Sequence, residues 1–363
     1  MIVSSRLLTG TSARLAETLA LATVGALIFL EIGFPAALII GSMLFVAVAA
    51  LFGRPMLVPG RLARILFILL GMSLGAVVTP QTLNGIIHWP VSIAIMCIST
   101  FLMTIATAAY LRKVHGWAPM DALFGGCPGA LAQVMALSIE QKSDVRGIVV
   151  VQTVRVVFLT IGVPGGLALG GLKAKPAASL GSDVIFPLWE YGALFAASIA
   201  AVYVLKAVRF PGAYVFGAML GSGILHGSGI LHTALPWWLT SAVVVLLGAT
   251  TGARFANTDV NLLIRYISAA CGSFLVAIVI AASFLALTAV LTDADIPDLV
   301  VSFAPGAQDT MMVMALALHI DPIFVGAHQL CRYLVVTLSL PVQMRRILTR
   351  ERAEALPSKQ KPD

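Results

Sequence analysis

Ten stretches of this chain come close to the ~20 consecutive apolar residues that a helix needs to cross a hydrocarbon layer. They run at roughly 15–31, 33–52, 62–79, 89–111 and 145–172, then 184–206, 210–231, 237–253, 262–291 and 322–344. A water-soluble globule cannot hide that much apolar surface. Only 11% of the 363 residues are charged, against about 25% in soluble domains. The chain must use lipid as its solvent, which excludes a cytosolic enzyme, a nucleic-acid binder and a secreted disulfide scaffold. The net charge of +7 then marks cytoplasmic loops, where Lys and Arg collect. Cys97, Cys127, Cys271 and Cys331 lie in apolar runs without a C-x-x-C pair and read as free thiols. The first run follows Arg6 and Arg14 and leads into the next at Gly33 without a convincing cleavage site, so it reads as a retained span.

Two further apolar stretches, 121–140 and 298–318, are interrupted by Pro128-Gly129 and Pro305-Gly306. Proline removes a backbone donor and glycine loosens the turn after it. Irregular backbone survives at membrane depth only where protein or a wet cavity surrounds it. Both stretches are therefore expected to be broken or re-entrant helices, the blander reading being an ordinary proline kink.

The two halves repeat at a spacing near 177. Asp121, Pro128, Gly129, Ala130, Met135, Asp144, Gln152, Arg155, Thr160 and Pro164 match Asp298, Pro305, Gly306, Ala307, Met312, Asp321, Gln329, Arg332, Thr337 and Pro341 without a gap. Chance matches in apolar sequence would favour Leu, Val and Ala. These are mostly Pro, Gly, Asp, Gln and Arg, so a duplicated unit is expected. Phe34-Pro35 and Gly41 recur at Phe210-Pro211 and Gly217, and Gly71 and Gly75 at Gly248 and Gly252. The glycines at 217, 221, 223, 227 and 229 have small-residue spacing suited to close helix packing.

If each Pro-Gly segment enters and leaves on one side, each half has five spans and the copies are inverted. If it crosses fully, they are parallel. With the N-terminus cytoplasmic, the inverted arrangement puts 19 of the 23 Lys and Arg inside and two outside, with Arg155 and Arg332 inside spans; the parallel arrangement gives 15 against 6. The positive-inside rule favours inversion. The expected fold class is thus an all-α polytopic membrane protein of two inverted repeats, each with about five transmembrane helices plus one Pro-Gly-broken helix. Its segments are a cytoplasmic N-terminus (1–14), repeat one (15–172), a polar linker (173–183), repeat two (184–344) and a cytoplasmic tail (345–363).

Inverted repeats with broken helices near the midplane are the usual architecture of secondary transporters. A half-helix starting after each Pro-Gly offers unpaired N–H groups and partial positive charge, which suits anions. Arg155 and Arg332 sit about ten residues into their spans, where a charge costs about 2.5–3.5 kcal/mol and Arg cannot shed its proton. Each either meets a solute's charge or caps carbonyls freed at the break. Gln152 and Gln329 share their helix faces at i−3, and His328 joins Arg332 at i−4. Asp309, in the first turn after Pro305-Gly306, either pairs with Arg332, carries a coupling proton or caps the helix. Glu190 is expected near an interface. No metal-ligand pattern, P-loop, cofactor motif or Ser-His-Asp set is present, so an enzyme is not expected.

The motifs CPGALAQVMAL and APGAQDTMMVMAL, the segments QTVRVVFLTIGVP and AHQLCRYLVVTLSLP downstream of them, and the glycines at Gly41 and Gly217 resemble the AbrB family of bacterial inner-membrane proteins over about residues 15–344. The resemblance implies a multi-pass protein of the bacterial inner membrane; the charge count above is what puts both termini in the cytoplasm. The family pattern after Pro-Gly has a glutamate where this chain has Gln133 and Thr310, and a second glycine where it has Ala130 and Ala307. Where the family has His-His, His328 is followed by Gln329. Relatives carry two functional labels, regulation of gene expression and ammonia monooxygenase. This chain has neither a DNA-binding domain nor a copper-ligand cluster. The expected function is secondary transport of a small solute, anions being the class the pocket suits, with a proton or sodium as coupling ion and the bilayer as partner. A regulator acting through the membrane without transport is the alternative. The expected binding residues are Pro128, Gly129, Gln133, Gln152, Arg155, Pro305, Gly306, Asp309, Thr310, His328, Gln329 and Arg332.

Overall fold

The computed structural model describes residues 10–76, 89–129, 134, 137–138, 141, 143–171, 187–210, 212–257 and 260–355, without the side chains of Asn257, Asp309 and 352–355. The linker at 173–183 and Gln133 lie outside the described residues. Among those described, the regular structure is helical throughout. The first half holds α1 (Thr11–Glu31), α2 (Ala37–Leu51), α3 (Gly60–Gly75), α4 (Pro90–His115), α5 (Pro119–Gly126) and α6 (Val145–Leu169). The second holds α7 (Leu188–Ala207), α8 (Ala213–Gly227), α9 (Trp237–Gly252), α10 (Val260–Leu291), α11 (Ile296–Phe303), α12 (Gln308–Ala317) and α13 (Pro322–Ala355). From α1 to α6 the element order recurs from α7 to α13, offset by 176 or 177 at most helix starts.

All ten apolar stretches contain a helix, and seven helices are long and apolar enough to cross a membrane. α2, α3 and α8 are shorter, at 15, 16 and 15 residues. For two of them the physical reason is local. The runs at 33–52 and 210–231 are apolar throughout, but the backbone turns left-handed at Gly33, Ala36 and Gly53, and at Gly212 and Gly229. Such residues end or cap helices, so the apolar run is longer than the helix it makes.

Contacts between the halves are reciprocal: α3 packs on α8 and α9 on α2, while α1 packs on α2 and α7 on α8. α4 packs on α10, with α13 also on α4 and α6 on α10. Glycine sets the closeness. A Cβ at Gly71 or Gly75 would overlap the α8 backbone at Val215 and Met219, and one at Gly248 or Gly252 the α2 backbone at Ile39 and Met43. Gly217 and Gly221 likewise lie against Val202 and Ala197 of α7. These glycines serve close packing.

The outer faces of α1, α4, α7 and α10 expose large apolar side chains such as Leu27, Ile105, Ile199 and Leu275, as lipid-facing helices do. α12 is the opposite: Met311 to Ala315 are at most 1% exposed. They lie in a core built from both halves, so the interrupted backbone is wrapped in protein.

Candidate functional site

Cys127 and Ala304 each precede a proline, and the proline ring keeps the preceding residue out of the helical region. Both are extended, with ψ 121° and 126°, so α5 and α11 stop there. Each stop leaves carbonyls without intrahelical partners and with the negative end of a helix dipole, inside the protein. Arg155 Nη1 donates to Cys127 O at 3.3 Å and Nη2 to Gly125 O at 3.1 Å. Arg332 Nη1 donates to Ala304 O and Nη2 to Ser302 O at 2.6 Å. The acceptors are the same two carbonyls, 177 residues apart. Gln152 Nε2 donates to Phe124 O at 2.9 Å, and Gln329 Nε2 to Val301 O at 3.2 Å. Arg155 is 2% exposed and Arg332 1%. The burial cost of each guanidinium is offset by charge-assisted bonds to the carbonyls that most need donors.

A third rung closes each unit. Asp121 Oδ1 accepts from Asp144 N–H at 3.2 Å, and Asp298 Oδ1 from Asp321 N–H at 3.0 Å. The rungs Asp121–Asp144, Phe124–Gln152 and Cys127–Arg155 ascend α5 and α6 in the same direction. The two helices therefore run parallel. The same holds for α11 and α13. Asp321 also accepts from Ile323 N–H and Phe324 N–H at 2.8 and 3.2 Å, capping α13. Burial pushes the Asp321 carboxyl above the usual carboxylate range, and those two N–H bonds oppose the rise.

The two breaks touch. Gly129 is left-handed at φ +83°, and a Cβ there would lie 3.2 Å from Gly306 O and 3.6 Å from Arg332 Cδ. α12 starts just beyond, after Ala307, and its first turn presents N–H groups that no helical carbonyl can satisfy. Thr310 Oγ1, Arg332 Nε and Arg155 Nε are buried without a hydrogen-bond partner among the described residues. A buried hydroxyl such as that of Thr310 in the first turn of a helix suits an anion.

The structure thus brings together Pro128, Gly129, Gln152, Arg155, Pro305, Gly306, Thr310, Gln329 and Arg332. Asp309 has its backbone in the first turn of α12. His328 points elsewhere. Its Nδ1 donates to Phe324 O at 2.8 Å, its Nε2 lies 2.9 Å from Ser92 Oγ on α4, and its ring rests on Phe324 at 4.0 Å between centroids. The Ser92 hydroxyl carries one proton and faces two acceptors, Trp89 O at 2.9 Å and Nε2 of the neutral ring. Ser92 gave no sequence signal, because it is a lone hydroxyl in an apolar run. The aspartate rung was visible only as recurrence at 177. Glu190 lies in the first turn of α7 and accepts from Thr233 Oγ1, outside this site. Among the described residues no three His, Cys, Asp or Glu gather as metal ligands.

A helical, multi-pass membrane architecture with a duplicated element order is therefore the class of this protein. The family model described as "Transition state regulatory protein AbrB" matches residues 38–348, and the chain belongs to the AbrB family. It is 27% identical over 297 residues to YhjN of Bacillus subtilis (strain 168), covering 75% of each chain. It is 22% identical over 326 residues to a protein of Escherichia coli (strain K12) named "Putative regulator AbrB", covering 88% of this chain and 92% of that one.

Proposed function

We propose that this protein is a secondary transporter that moves a small anionic solute across the bacterial inner membrane by alternating access, coupled to a proton or sodium. One observation carries the reading: two backbone breaks, each braced by its own arginine, abut at Gly129 and Gly306 in the protein interior. The parallel pairs α5/α6 and α11/α13 support a re-entrant segment in each half. Five crossings per half is an odd number, so the copies are inverted and the half-helices approach from opposite faces, as transporter sites require. The positive-inside charge count agrees, with both termini cytoplasmic. In this reading the terminal nitrogens of Arg155 and Arg332 brace the breaks. The solute's charge is met by Nε, the Thr310 hydroxyl and the α12 N-terminus.

The test is flux into proteoliposomes with Thr310→Val, which removes the buried hydroxyl at nearly constant volume. The expected result is a raised KM with an unchanged melting temperature. Flux unaltered by Thr310→Val and also by paired Arg155→Ala and Arg332→Ala would overturn the proposal. The name of the Escherichia coli relative favours a second reading, a membrane regulator acting without transport. A transcriptional phenotype that survives in a flux-dead variant would select it.

A further inference from the structure

The fold makes the same groove twice. One groove, of about 730 Å³, lies between α6, α10 and α11, where Ile278, Ile296, Val300, Gly166 and Gly170 line it. The other, of about 570 Å³, lies between α4, α5 and α13, lined at the matching positions by Phe101, Pro119, Leu123, Gln343 and Ile347. Each pair is 177 residues apart, so the grooves are counterparts in the two repeats. They differ at the rim. The second groove is bordered by Arg112, Lys113, Arg346 and Arg350. The counterparts of the first three are Ala289, Val290 and Leu169, that of Arg350 is Lys173, outside the described residues, and among the described residues the first groove is lined by apolar side chains and glycine.

Four exposed cations around a hydrocarbon floor repel one another and gain nothing from it unless a counter-charge arrives. None of the four is in an ion pair with a described carboxylate, and among the described residues no acid lines the groove. Asp121, in the entry turn of α5, is turned to Asp144 N–H. Phe101 and Ile105, 39% and 43% exposed, continue the floor onto the lipid-facing side of α4. A free phosphate would use the rim and leave the floor wet. A neutral lipid would use the floor and leave the cations uncompensated.

We infer that this groove binds an anionic glycerophospholipid, its phosphate among Arg112, Lys113, Arg346 and Arg350 and an acyl chain along Phe101, Ile105 and Leu123. Basic pockets between transmembrane helices on the cytoplasmic side recognise anionic headgroups in this way. The lipid would bridge α5, whose end Arg155 holds, to α13, which carries Arg332. It would thus brace the break of one repeat against the other.

The experiment uses the purified full chain in neutral detergent, with native mass spectrometry and thermal melting. Phosphatidylglycerol should be retained and raise the melting temperature by mass action; phosphatidylcholine and inorganic phosphate should do neither. Arg346→Gln with Arg350→Gln should weaken phosphatidylglycerol binding about thirtyfold, the equivalent of about 1 kcal/mol per cation. Arg61→Gln with Arg146→Gln, an equal charge loss elsewhere, should leave it unchanged. Equal binding of phosphatidylcholine, equal stabilisation by phosphate alone, or full retention by the Arg346/Arg350 variant would each overturn the assignment.

Discussion

The two breaks are supported alike and furnished differently. Around Pro128-Gly129 and Pro305-Gly306, arginine, glutamine and aspartate reach the same backbone atoms 177 residues apart. One helix turn away the likeness ends. His328 and Ser92 bridge α13 and α4, whereas their counterparts Val151 and Ala269 belong to an apolar cluster between α6 and α10. What is common to both halves holds the interrupted backbone in place. What differs is where the halves can be given different tasks.

The largest expected effect tests the common part. Arg155→Ala and Arg332→Ala each strip two charge-assisted hydrogen bonds from buried carbonyls, at about 1.5 kcal/mol or more apiece. Each should lower stability by about 3 kcal/mol, read as a drop in melting temperature, and the two drops should be of similar size. A drop at one break and none at the other would break the comparison. Next come the glycines. Gly71→Ala and Gly248→Ala place a methyl group against backbone of the facing half, and overpacking of this kind costs about 1–3 kcal/mol.

Smaller effects sharpen the difference. Gly129→Ala forces a left-handed alanine against Gly306 O, at about 1–2 kcal/mol for the conformation alone. Gly306→Ala meets only the flexible Met311 side chain and should cost less. Measured melting temperatures should therefore order Gly129→Ala below Gly306→Ala. The smallest change in stability is expected from His328→Val with Ser92→Ala, which copies the apolar Val151/Ala269 pair onto the counterpart positions. Replacing both partners of a buried hydrogen bond is close to neutral, so the melting temperature should move little. A large loss would mean that the bridge is structural.

Much of this was legible in the sequence because the decisive residues are rare in apolar runs. Pro, Gly, Asp, Gln and Arg recurring at 177 located both breaks and named the side chains that brace them. The sequence left open whether Arg155 and Arg332 face carbonyls or a solute. That depends on where α5 and α11 end relative to α6 and α13, a tertiary distance that spacing along one helix does not encode. His328 was placed with Arg332 from their i,i+4 relation, yet it turns to Ser92 on another helix, because a serine in an apolar run carries no pattern. The short helices were missed for a related reason. Hydropathy measures which residues avoid water, whereas helix length is set by left-handed turns at positions such as Ala36 and Gly212.

The glycines at 71, 75, 248 and 252 bring main chain onto main chain between the halves. A side chain between two helices can hop rotamers and absorb an ångström of sliding, but bare backbone has no such give. The α2–α9 and α3–α8 seams therefore behave as rivets. Any large movement of this protein has to pivot away from these two seams.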